Sequence, residues 1–210
     1  MKTFIVLFLL SAAASLVRTT VMIRVCRRFG WVDRPGERKL HLQPVPRMGG
    51  VAVVAAFLGT LVVMFLYDNA ITRVFLEIAP KVVRILGPAL IVAVLGVADD
   101  LRGIRARTKF LVQILAACLL VGLGFRIEAV HLPLLGLVHL GVAGALLVTV
   151  FWVVAVTNAF NFIDGMDGLA SGIALFVSLS VLAMAAVTGA TEVLVLAVPL
   201  AGALAGFLPF

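Results

Sequence analysis

Asp99 and Asp100 stand side by side at the end of an apolar run. Adjacent carboxylates at such a boundary repel each other and lose hydration, so they call for a cation. Hard oxygen donors suit Mg²⁺, which takes one or two carboxylates and completes its octahedron with water and substrate phosphates; Mn²⁺ is the alternative ion. The plainer reading is a solvated helix end neutralised by Arg102 and Arg105. A second set, Asn158, Asn161, Asp164 and Asp167, recurs at every third position. On a helix or helical turn these groups fall near one face. Two carboxylates and two amides aimed at one point can hold a metal and hydrogen-bond a pyrophosphate or a base. The spacing is not that of an EF-hand loop, and no Gly-Lys-Ser/Thr follows as in a Walker A loop.

A third segment, Asp33 to Gly50, reads DRPGERKLHLQPVPRMGG. Its cations are natural phosphate partners, Arg as a bidentate clamp and Lys as a point charge. Gly49 and Gly50, opening a helix, could bring backbone N–H groups to an anion. Loops of this composition are also common on the cytoplasmic side of membrane proteins, so the segment alone does not specify a site. Lys109 opens the next apolar run and lies close above the acidic pair if the two runs form a hairpin; a lysine snorkelling to the interface is the plain alternative.

These residues need a scaffold, and the composition says which. Of 210 residues, 63% are hydrophobic and only 13% charged, with a mean hydropathy of +1.23. A soluble domain would be near half apolar and a quarter charged. The apolar residues form blocks that are apolar all round, so the chain is read as an all-α polytopic membrane protein. Seven segments approach the length that crosses a bilayer, near 3–23, 49–67, 82–98, 110–125, 137–157, 169–188 and 193–209; Pro88 interrupts the third. Residues 1–210 read as a single transmembrane domain without internal repeats.

Charge orients it. Eleven of the seventeen Lys and Arg residues fall in the connections 24–48 and 99–109, and the opposite side carries five. The positive-inside rule then puts the N-terminus in the periplasm and the connections 24–48 and 99–109 in the cytoplasm; 158–168 carries no basic residue and joins them by counting spans. Six of the ten acids share that face. Net charge +7 is explained the same way, without a nucleic-acid partner. The run from Thr3 to Val17 could also be a signal peptide, but it extends toward Ile23 and is read as the first span. Cys26, in a basic loop, and Cys118, as a small packing residue, are read as free thiols.

Taken in order, DRPGERKLHLQPVPRMGG (33–50), GVADDLRGIRARTKFLVQ (96–113) and NAFNFIDGMDGLASG (158–172) resemble the signatures of the polyprenyl-phosphate N-acetylhexosamine-1-phosphate transferase family, glycosyltransferase family 4. The resemblance runs from about Val32 to the end. It implies transfer of a sugar-1-phosphate from a UDP-sugar to polyprenyl (undecaprenyl) phosphate, with release of UMP and with Mg²⁺, at the cytoplasmic face of a bacterial inner membrane. It assigns Asp99, Asp100 and Lys109 to catalysis, and Lys39, His41, Asn158, Asn161 and Asp164 to substrate binding. It gives Asp99, Asp100, Asp164 and Asp167 to the metal. The Arg-Lys-x-His form at 38–41 is closer to the UDP-N-acetylglucosamine branch than to the phospho-MurNAc-pentapeptide branch. A homodimer is an open option. Members of the family are considerably longer, with a later Gly-Asp motif and a His-rich loop, so the chain is expected to be a fragment or a truncated product.

Positioning and charge neutralisation are expected to outweigh base catalysis, because a phosphate monoester is largely dianionic at neutral pH. Other membrane transferases fit poorly: after Asp167-Gly168 no acid follows until Glu192. A transporter would carry its ionisable groups near the bilayer midplane, whereas these lie at segment ends.

Overall fold

The computed structural model describes residues 2–33, 45–46, 48–66, 70–134, 136–164 and 168–210. Seven α-helices occupy the described residues: α1 (Lys2–Phe29), α2 (Gly49–Met64), α3 (Ala70–Arg102), α4 (Ala106–Gly122), α5 (Val142–Ile163), α6 (Leu169–Thr188) and α7 (Thr191–Phe207). Four of them, α1, α3, α5 and α6, are long and apolar enough to cross a membrane; α2 and α7 are apolar but shorter. The chain forms two compact units, residues 1–79 with 164–210, and residues 80–163.

In the first unit α1 packs on α2 and α7, and α7 also packs on α2 and α6. Helices in lipid gain little from hydrophobic burial against one another, so close backbone approach through small residues takes over. Gly202 and Gly206, one turn apart on α7, do this against α1. A Cβ on Gly202 would lie 2.4 Å from the Phe8 carbonyl oxygen, and one on Gly206 2.1 Å from that of Ala12. The facing stripe of α1 is buried and largely polar: Ser11, Ser15, Thr19 and Cys26. Ser11 Oγ donates to the Pro199 carbonyl at 2.6 Å. The hydroxyls of Ser15 and Thr19 are buried with no hydrogen-bond partner among the described residues. At the edge of the same stripe, Arg18 Nη1 donates to the Ala55 carbonyl of α2 at 2.6 Å, and the missing side chain of Gly59 makes room for the guanidinium. Two short strands, β1 (Val32–Asp33) and β2 (Val45–Pro46), pair antiparallel after α1.

In the second unit α4 packs on α5. In the chain, a hairpin of β3 (Ala129–Leu132) and β4 (Gly136–His139) joins them, in register Ala129 with His139 through Leu132 with Gly136. Thr149 of α5 ties the approach to it: its Oγ1 accepts from Ile127 N at 2.9 Å and donates to the Ala145 carbonyl at 2.6 Å.

Several sequence expectations change. The fifth apolar segment begins at Val142 rather than 137, because residues 137–139 belong to β4, and it continues to Ile163. The third begins at Ala70, and α3 runs without a break through Pro80 and Pro88. Its 33 residues span about 50 Å at 1.5 Å per residue. Cys26 lies inside α1 and is fully buried, not in a loop, while Cys118 is exposed and so is not a packing residue; the two are not joined in a disulfide.

Candidate active site

The second unit builds its polar cluster at the turn joining α3 and α4. α3 ends because Gly103 adopts a left-handed conformation (φ +64°) and returns its N–H to the Asp99 carbonyl at 2.8 Å. Asp99 closes the turn with its side chain as well. Oδ1 accepts from Ile104 N at 2.8 Å, and Oδ2 accepts from Lys109 Nζ in an ion pair. Both carboxylate oxygens are therefore engaged within the turn. Lys109 sits in the first turn of α4, where the short turn alone brings it to Asp99. The ion pair is part-exposed, the side chains showing 29% (Asp99) and 34% (Lys109) of their surface. Asp100 is exposed beside it.

One turn further along α4, at the i+4 position that shares a face with Lys109, stands Gln113. It is buried at 2% exposure in the otherwise apolar stretch that follows Lys109. Its Oε1 accepts from Asn158 Nδ2 of α5 at 2.7 Å, and the same Asn158 nitrogen donates to the Val154 carbonyl at 2.8 Å. Sequence reasoning did not single out Gln113. The available signal was a lone amide four residues after a candidate lysine inside an apolar segment.

α5 carries the amide series further than a loop would. Asn158 and Asn161 are both helical, and Asp164 follows immediately after the last helical residue. The three do not share one environment: Asn158 is half-buried against α4, whereas Asn161 and Asp164 are exposed. Partial desolvation raises the Asp164 carboxyl above the ordinary aspartate value of 3.8. No hydrogen bond to that carboxyl is made among the described residues, which leaves it available to a cation. Lys39, His41 and Asp167 lie outside the described residues.

In the first unit two helix starts meet the end of α7. α2 begins after Met48, in a left-handed conformation (φ 54°), and α6 after Gly168 (φ 71°). Neither N-cap residue supplies a side-chain hydrogen bond. A Cβ on Gly49 would lie 2.7 Å from the Phe207 ring, and those on Gly168 and Gly172 would touch Leu208 at 3.8 and 3.9 Å. The start of the Gly-Gly segment and the Gly168 turn thus adjoin the same final turn of α7, with their N–H groups and dipoles suited to an anion.

Among the described residues no three His, Cys, Asp or Glu side chains gather around one point. Mg²⁺ does not require three, since water and phosphate oxygens fill the remaining positions. Asp164, whose carboxyl takes no hydrogen bond among the described residues, fits that role; each Asp99 oxygen accepts one bond within the turn and keeps a further lone pair.

A profile described as glycosyl transferase family 4 matches residues 82–210. A Bacillus subtilis protein named a probable undecaprenyl-phosphate N-acetylglucosaminyl 1-phosphate transferase is 33% identical over 95% of this chain and 52% of its own length. The decaprenyl-phosphate N-acetylglucosaminephosphotransferase of Mycolicibacterium smegmatis is 36% identical over 95% of this chain and 52% of its own. That of Mycobacterium tuberculosis is 37% identical over 87% and 47% respectively. The chain spans about half the length of the curated relatives it matches.

Proposed function

The chain belongs to glycosyl transferase family 4, and from that premise we propose that it serves the transfer of N-acetylglucosamine-1-phosphate from UDP-N-acetylglucosamine to a polyprenyl phosphate, with release of UMP. The observation that carries this reading is the Asp99–Lys109 ion pair, which fixes a cation at the turn between two apolar helices. A lipid phosphate reaches its partner only at such a boundary. The names of the Bacillus and mycobacterial relatives, which specify N-acetylglucosamine, favour that sugar over a phospho-MurNAc-pentapeptide. A transporter is disfavoured because Asp99 lies in the last turn of α3 and Asp164 follows α5, both near helix termini.

In the reaction an oxygen of the lipid phosphate attacks the β-phosphorus of the UDP-sugar. The bond from that phosphorus to the bridging oxygen breaks, and UMP leaves with the oxygen. The lipid phosphate is already largely dianionic at neutral pH, so no side chain has to remove a proton. Charge and alignment are then the main demands. Lys109, held by Asp99, offers its remaining N–H groups to phosphate oxygens. Asp99 serves as the orienting partner of Lys109 rather than as a base. Asp164, with Asp167 beside it in sequence, would hold Mg²⁺, which when bound would neutralise charge on the diphosphate.

The reading includes a bacterial inner-membrane location and seven spans, with a periplasmic N-terminus and a cytoplasmic site for which the loop charges speak. The test is transfer of ³²P from β-labelled UDP-N-acetylglucosamine into organic-extractable lipid by membranes containing the intact protein. Label in lipid with equimolar UMP is the expected result. Hydrolysis to free sugar phosphate without lipid label would end the proposal.

A further inference from the structure

Asn158 and Gln113 sit on different helices, 45 residues apart, and their hydrogen bond assigns the orientation of both amides. The assignment starts from the Val154 carbonyl, which can only accept. The Asn158 atom 2.8 Å from it must therefore be Nδ2, the donor. That nitrogen also faces Gln113, so the Gln113 atom it meets must be the acceptor Oε1. Two directed hydrogen bonds to one amide nitrogen commit both of its hydrogens. The amide plane of Asn158 is thereby fixed, and its Oδ1 points away from Gln113.

We propose that Gln113 is a positioning residue that makes Asn158 present its carbonyl oxygen, and only that oxygen, to the substrate. This deepens the transferase reading and rests on it. An amide locked this way accepts from a hydrogen-bond donor, such as a nucleobase N–H or a sugar hydroxyl, or binds a cation. It cannot donate to the diphosphate, whose oxygens are acceptors only. The diphosphate is left to Lys109, one turn away on the same face of α4. Burial of Gln113 explains the choice of residue. A polar amide at 2% exposure within the apolar stretch after Lys109 loses solvation that a leucine would not, and Asn158 satisfies its acceptor.

The test is a double-mutant cycle on lipid-linked product formation in the intact membrane protein, with Gln113→Met, Asn158→Ala and the pair. Met keeps the length of the side chain and removes the acceptor. Gln113→Met should lower kcat/KM roughly 10- to 100-fold while thermal melting in detergent moves little. In the Asn158→Ala background the same change should have no further effect, because Gln113 acts only through Asn158. UMP inhibition supplies a second readout: if Oδ1 accepts from the uracil or ribose, both single variants weaken UMP binding by the same factor.

A wild-type rate for Gln113→Met, or losses that multiply in the double variant, would overturn the inference and leave the transferase reading standing. An inactive wild-type protein would sink the transferase reading, and this inference with it. Should Gln113→Met not accumulate, Gln113→Ala takes its place in the cycle. Failure of both variants to fold assigns Gln113 a structural role and overturns the proposal.

Discussion

Lys109 reaches back ten residues to the carboxylate of Asp99, whose other oxygen is already held by the N–H of Ile104. The turn between α3 and α4 and the placement of the lysine are therefore set by one side chain. Asp99→Asn keeps an acceptor for Ile104 and abolishes the charge; Lys109→Met abolishes the other charge. Because the pair is part-exposed, each variant should lose no more than about 1 kcal/mol of stability. Turnover should fall by roughly 10²-fold or more, as for removal of a charge-stabilising group. The double variant should be no worse than the poorer single one. Product formation alongside melting curves checks all three, and Asp99→Asn with near wild-type turnover would remove Asp99 from the essential set.

Asp164 gives a pH dependence with a definite sign. Desolvation raises its pKa above 3.8, so the folded protein binds a proton there more readily than the unfolded chain. This contribution to stability is complete at acid pH and is lost as pH rises through the raised value. A divalent cation competes with that proton. Mg²⁺ affinity, read as the shift in melting temperature with added MgCl₂, should therefore increase as pH rises through the same window and then level off. Asp164→Asn should flatten the profile, and an unchanged profile in that variant would separate Asp164 from the metal.

Gly206 has no room for a side chain. A Cβ there would lie 2.1 Å from the backbone oxygen of Ala12, and backbone does not yield as a flexible side chain does. Gly206→Val should reduce the yield of monodisperse protein sharply, beyond the ~1–3 kcal/mol of ordinary overpacking. Gly87→Ala, in the interior of α3 with open space around it, is the control and should be neutral or slightly stabilising.

Topology can be read with fused reporters. A phosphatase joined after residue 103 should stay silent in the cytoplasm, and one joined within the β3–β4 hairpin near residue 134 should be active in the periplasm. The reverse pattern would place the Asp99 turn on the wrong side for a cytosolic sugar nucleotide.

The helices were legible because apolar blocks of bilayer length announce themselves. Their ends were not always so. The first turns of α3 carry Arg73, Glu77, Lys81 and Arg84, which hydropathy reads as a loop although the backbone is helical. Pro88 looked like a break, yet α3 continues through it, since a lost N–H can be accommodated within an apolar helix. β3 and β4 were hidden because four-residue strands rich in Leu and Val resemble the edge of a span. At the candidate site, Asp99, Lys109 and Asn158 stood out by residue type. Gln113 did not, since its role depends on a contact 45 residues away that no local pattern encodes. The Gly202-x-x-x-Gly206 spacing was present in the sequence, but only the approach of α1 gives it meaning.

The intimacy of α1 with α7 bears on biogenesis. The ribosome completes the first helix long before the seventh exists, so Ser11, Ser15 and Thr19 must wait in the bilayer, or in the shelter of an insertase, until Gly202 and Gly206 emerge. Early nascent chains should thus be the form most vulnerable to quality-control proteolysis, and release of the seventh helix the event that ends that vulnerability.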